Sequence, residues 1–128
     1  MNPLVEADLR WMIAVNYRAM NELSKAIVNL ERCIALREKH LGPDHRATLT
    51  ALNSLSAVYS STGEYRRGLE LVKTAYERSK RTAGPNDPST LSFATNLARA
   101  YMHVDRAQDA LPLLESVAEV RLRSLGAK

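Results

Sequence analysis

Gly42, Gly84 and Gly126 lie 42 residues apart, and their surroundings repeat with them. LGPDH at Leu41–His45 becomes AGPND at Ala83–Asp87, and LG returns at Leu125–Gly126. Tyr17, Tyr59 and Tyr101 keep the same period. A unit of this length cannot bury its apolar face alone and stacks on copies of itself. The chain is therefore expected to be one solenoid domain, residues 1–128, with units 1–42, 43–84 and 85–126. In such an array function is expected on a continuous surface built from equivalent positions, not in a closed catalytic pocket.

Each unit reads as two helices. In the middle one, Pro43-Asp44-His45 is turn chemistry. Leu49, Leu52, Leu55, Ser56 and Tyr59 then fall at helical spacing, which predicts a helix over 46–61. Gly63 ends it, and a second helix over 65–82 carries Leu69, Leu71, Val72, Ala75 and Tyr76 up to Gly84. Three such units give an all-α chain of six helices. Asn21, Gly63 and Asp105 stand one period apart, and these residue types tolerate the left-handed conformation that follows a helix. Asn2-Pro3 and Asp87-Pro88 each set a capping side chain before a proline suited to the first helical turn. The third glycine, Gly126, is expected to close its unit as Gly42 and Gly84 do. Pro112 removes the bond to the Gln108 carbonyl and predicts a slight kink, or a start drawn back toward Asp105, which has capping-box spacing to Gln108.

Periods near this length also occur in HEAT and armadillo arrays and in β-propellers. No period-2 strand pattern supports a propeller, and the side-chain pattern decides among the helical repeats. Four residues before each tyrosine stand Ile13, Leu55 and Leu97; three before stand Ala14, Ser56 and Ala98. Nine after come Ala26, Gly68 and Ala110, thirteen after Leu30, Val72 and Leu114, and sixteen after Cys33, Ala75 and Val117. Small residues let paired helices approach, and large ones fill the gap between units. The pattern resembles the tetratricopeptide repeat. A longer second helix followed by LGPDH, and first helices containing LNSLSAVY (Leu52–Tyr59) or TNLARAY (Thr95–Tyr101), is similar to the kinesin-light-chain type of that repeat. The resemblance covers essentially the whole chain. It implies a right-handed α-α superhelix acting as a protein-interaction scaffold, of a kind also carried by bacterial multidomain signalling proteins.

The resemblance further implies that the first helices line a concave groove for a peptide or partner segment. The positions carried over are Asp8, Trp11, Met12, Val15, Arg18 and Ala19 in the first unit. The second offers Thr50, Asn53, Ser54, Ala57, Ser60 and Ser61. The third offers Ser92, Thr95, Asn96, Arg99, Met102 and His103. Asn53 and Asn96 suit an extended peptide backbone, because an amide donates and accepts at once. Arg18 and Arg99 suit a ligand carboxylate, and Trp11 and Met102 suit apolar contact. The Lys/Asn/Asn/Lys/Arg clamp of chaperone-binding members is not reproduced: only Asn53 and Arg99 match, while Trp11, Val15 and Thr95 stand at other clamp positions. A chaperone C-terminus is therefore not the expected ligand.

The net charge of +4 concentrates in the middle unit, where Arg66, Arg67, Lys73, Arg78, Lys80 and Arg81 make the second helix basic. A basic convex face binding nucleic acid or another acidic partner is the alternative reading. Glu64, Glu70 and Glu77 interleave with the patch and no aromatic platform accompanies it, which favours a solvated face. His40 and His45 lack the carboxylates or thiols of a metal site, so a turn role is expected and no metal or cofactor. Cys33 falls at a small interior position and is expected to be an inert buried thiol, with no disulfide. No nucleophile elbow, phosphate loop or converging carboxylate pair points to an enzyme. With 45% apolar and 25% charged residues, no membrane-length apolar run and no secretory signal, a cytoplasmic protein is expected.

The last helix carries Leu111, Leu114, Val117, Leu122 and Leu125, a surface on which a further unit would pack. No polar capping helix follows in the sequence. The chain is thus expected to be a piece of a longer array, or to self-associate through this edge.

Overall fold

The computed structural model describes residues 1–126, which form six α-helices: α1 Pro3–Ala19, α2 Leu23–Leu41, α3 Arg46–Thr62, α4 Tyr65–Ala83, α5 Pro88–His103 and α6 Ala107–Gly126. Each packs on its neighbour in sequence, and α3 also touches α5. The chain is thus three antiparallel helix pairs stacked in one row.

Local chemistry sets the boundaries. Asn2 Oδ1 accepts from the Leu4 and Val5 amides at 2.8 and 3.3 Å, and Asp87 Oδ2 from the Ser89 and Thr90 amides at 3.0 and 3.4 Å. At α3 the same task falls to His45, whose Nδ1 accepts from the Ala47 amide at 3.0 Å. Asn21, Gly63 and Asp105 all take positive φ, so each short turn closes the same way. In each, the amide one residue further on donates to the carbonyl of the repeating tyrosine: Glu22 to Tyr17, Glu64 to Tyr59, Arg106 to Tyr101. This is the bond that satisfies an orphan carbonyl after a left-handed cap.

Small residues pack the pairs. Ala14, Ala26, Ser56, Gly68, Ala98 and Ala110 are all buried. In the middle unit Ser56 Oγ donates to the Gly68 carbonyl at 2.6 Å, and a Cβ on Gly68 would stand only 3.0 Å from the Ser56 carbonyl oxygen. Between units, Leu30 packs with Leu55 and Val58, and one period on Leu69 and Val72 pack with Leu97 and Ala100.

Four expectations are corrected. Gly126 still lies within α6 and has no positive φ, whereas Gly42 and Gly84 stand beyond their helices with φ 96°. Pro43 and Pro85 follow those two glycines and force the chain out of the helix, but Ala127 follows Gly126. Asp105 does not cap α6: it occupies the left-handed position after α5, and the Arg106 carbonyl accepts from Asp109 and Ala110 instead. The helix then continues through exposed Pro112. Val117 is buried rather than at the open edge, because it lies on the inward side of α6 with Ala110 and Leu113. Ile13, expected to fill a gap between units, is exposed, since no described helix precedes α1 to cover it.

Candidate functional site

Two adjoining hollows lie along the face built by α1, α3 and α5. The first, about 320 Å³, has an apolar floor of Ala14, Leu30 and Val58 and a rim of Val15, Arg18, Ala19 and Ser54. The second, about 270 Å³, is polar. Asn53, Ser56, Ala57 and Ser60 of α3 meet Asn96, Arg99, Ala100 and His103 of α5, with Arg18 shared between the two hollows. Its lining includes two guanidinium groups and no carboxylate, so the hollow favours negative charge.

Hydrogen bonds tie the first helices of successive units together. Trp11 Nε1 donates to Ser54 Oγ at 3.1 Å across one joint, and Asn96 Nδ2 donates to Asn53 Oδ1 at 3.1 Å across the next. Both links join residues 43 apart, so they are one contact repeated with different side chains. Asn96 Oδ1 in turn accepts from Arg99 Nη1 at 3.4 Å. The two asparagines thus hold the groove floor together and aim Arg99, while the Asn53 amide nitrogen stays available to a ligand.

Of the sequence-predicted residues, Val15, Arg18, Asn53, Ala57, Ser60, Asn96, Arg99 and His103 line one hollow or the other. Asp8, Trp11, Thr95 and Met102 line neither. Exposed Asp8 accepts from Arg37 Nη2 at 3.0 Å, while Arg37 Nη1 donates to the Ala47 carbonyl at 2.8 Å. Arg37 is buried and its Nε has no partner among the described residues, so Asp8 serves to neutralise a charge inside the first joint. Trp11 is half-buried, packed against the two core clusters that hold Ala14 and Cys33, with its indole N–H engaged. Thr95 Oγ1 donates to the Leu91 carbonyl, and Met102 stands exposed outside both hollows. Sequence reasoning missed Tyr65, whose ring lies 4.8 Å from that of His103 and holds it at the groove's end. It also missed Arg37, whose counterpart one period on is Ser79, so that the pattern breaks in the middle unit before Arg returns at Arg121.

The basic helix α4 largely turns its charge back on its own unit. Arg67 pairs with Glu64 at 3.4 Å, Arg78 and Arg81 pair with Asp44 at 3.7 and 2.8 Å, and Lys80 lies over the Tyr76 ring at 5.9 Å. Cys33 is fully buried, and burial pushes its thiol pKa up. Among the described residues no three His, Cys, Asp or Glu side chains gather as metal ligands, and no helix is long and apolar enough to cross a membrane.

Family models for the tetratricopeptide repeat match residues 6–81 and 90–128. The chain belongs to the tetratricopeptide repeat family. It is 25% identical over 114 residues to a clustered mitochondria protein homolog of Aspergillus clavatus, and 30% identical over 82 residues to human protein fem-1 homolog C. Those matches take in 89% and 62% of this chain but only 9% and 13% of the relatives. The tetratricopeptide array also superposes on the crystal structure of a putative kinesin light chain with nearly identical repeats from Podosopora anserina. There the TM-score is 0.84 at 26% identity, over 93% of this chain and 56% of that one. The repeat type is thus that of kinesin-light-chain-like proteins, in a family whose arrays mediate protein–protein interactions.

Proposed function

We propose that this tetratricopeptide array is a scaffold whose groove captures an extended protein segment carrying an acidic side chain next to an apolar one. The carrying observation is the pairing of the two hollows. Arg18 and Arg99 flank a lining that includes no carboxylate, and an apolar pocket over Leu30 and Val58 adjoins it. The acidic group docks at Arg99 and Asn96, the apolar side chain enters beside Val15 and Ala19, and the Asn53 amide meets the peptide backbone between them. Self-association through α6 is the second part of the reading, supported by the exposure of Leu111, Leu114, Leu122 and Leu125.

A peptide-library screen tests the groove. Hits are expected to carry Asp or Glu within a few residues of Leu, Ile or Phe. Arg99→Ala is expected to weaken them about tenfold or more, since hydrogen bonds to charged groups contribute about 1.5–3 kcal/mol. Asn53→Ala should weaken them too, because it also frees Asn96. Hits that bind both variants as well as the parent chain would exclude the groove.

A further inference from the structure

The hydrogen bonds of the groove engage its acceptors and leave donors open. Asn53 Oδ1 accepts from Asn96, and Asn96 Oδ1 accepts from Arg99. Ser56 and Ser60 donate their hydroxyl protons to the Gly68 and Ser56 carbonyls. Ser54 differs from both. An indole nitrogen only donates, so Ser54 Oγ is the acceptor of the Trp11 bond, and its own proton has no acceptor among the described residues. Among the same residues the exposed Arg18 guanidinium has no partner, and Arg99 commits one N–H at 3.4 Å. Where the two hollows meet, the open groups of Ser54, Arg18 and Arg99 are therefore all donors, and they carry two positive charges.

A ligand group that answers this set is rich in acceptors and doubly negative. A carboxylate brings one charge, whereas a phosphate monoester brings about −1.5 to −2 at neutral pH and three acceptor oxygens. The apolar hollow decides what the phosphate hangs on. Arg18 lines both hollows, so an anion held by it has the floor of Ala14, Leu30 and Val58 beside it. That hollow measures about 320 Å³. An apolar cavity of about 150 Å³ already takes a benzene ring.

We propose that the captured protein segment presents a phosphotyrosine to this groove. The ring lies over Leu30 and Val58, and the phosphate sits between Arg18 and Arg99 and accepts from the Ser54 hydroxyl. The Asn53 amide is left to the peptide backbone. The inference rests on the groove reading and names one side chain that supplies both its acidic and its apolar part.

Fluorescence polarisation with labelled peptide libraries tests it, the central residue being fixed as phosphotyrosine, tyrosine, phosphoserine or glutamate. Phosphotyrosine peptides are expected to bind about tenfold or more tighter than their tyrosine counterparts, and phosphoserine peptides to fall well below them. Arg18→Ala leaves the helical circular dichroism unchanged, since the side chain is exposed and unpaired, and brings phosphotyrosine down to the level of tyrosine. Ser54→Ala lowers the phosphotyrosine affinity about fivefold, the loss of one hydrogen bond. Arg66→Ala lies outside both hollows and leaves it unchanged. An equal loss with Arg66→Ala would show diffuse attraction to basic charge and overturn the site. Phosphoserine binding as well as phosphotyrosine removes the ring from the account and overturns it too. Phenyl phosphate that binds while the phosphotyrosine peptides do not overturns the protein source. Glutamate peptides that respond to Arg99→Ala, with phosphotyrosine no better, overturn this inference and leave the groove reading standing. Failure of every library to bind overturns both.

Discussion

Leu30 and Leu114 occupy the same place in their repeats, but among the described residues a following helix pair packs over Leu30 alone. The periodicity that assigns both to the same role is silent on whether that role is filled. In an array of this kind a side chain's contribution depends on the neighbour as much as on its own unit. The covered joint between α2 and α3 and the open end at α6 are therefore two states of one surface.

The largest effect should separate them directly. Leu30→Ala is expected to cost about 2–5 kcal/mol, as for other buried leucines, while Leu114→Ala in dilute solution costs about 1 kcal/mol or less. Urea denaturation of both variants measures this, and equal losses would erase the distinction between joint and end. A smaller effect concerns charge. Asp8→Asn leaves the buried Arg37 guanidinium without its counter-ion and is expected to cost about 1 kcal/mol, a value already discounted because Asp8 is itself exposed. The Arg123–Glu119 pair on the open helix is exposed on both sides, so Glu119→Gln should leave the melting temperature unchanged. Asp8→Asn should also leave peptide affinity intact, since Asp8 lines neither hollow; a loss of affinity without a loss of stability would return it to the groove.

The smallest effect is a pH dependence at α1. Partial burial acts to raise the Glu6 pKa, but hydrogen bonds and charge from Arg32 and Arg10 outweigh it and hold the carboxyl below its ordinary 4.5. The folded value lies under the unfolded one, so the stabilisation is complete above the unfolded pKa and disappears as pH falls through the folded one. The difference in melting temperature between the parent chain and Glu6→Gln should be present at pH 7 and vanish in acid. A difference that persists there would mean that Glu6 acts through packing.

Most of the scaffold was legible because its determinants are local. Asn2, Asp87 and the positive-φ sites at Asn21, Gly63 and Asp105 carry their conformations in their own chemistry. Gly126 misled because a glycine only permits a turn; the proline that forces one follows Gly42 and Gly84 alone. Val117 was read with the leucines of α6 as a single apolar stripe, although its spacing from Ala110 and Leu113 puts it on the inward face. The groove was legible as a stripe but not as a site. Trp11 and Val15 stand four residues apart on α1, yet Trp11 closes against Ser54 while Val15 opens onto a hollow. That difference depends on where the next unit's side chains fall, which no single helix records.

The bond from Trp11 to Ser54 gives the molecule a built-in optical address. Trp11 is the chain's single tryptophan, and its indole lies across the first joint. Intrinsic fluorescence therefore reports the parting of α1 from α3, while helical dichroism averages over all six helices. The gap between the two midpoints on denaturation measures how far the three pairs melt as one body and how far they unzip in sequence.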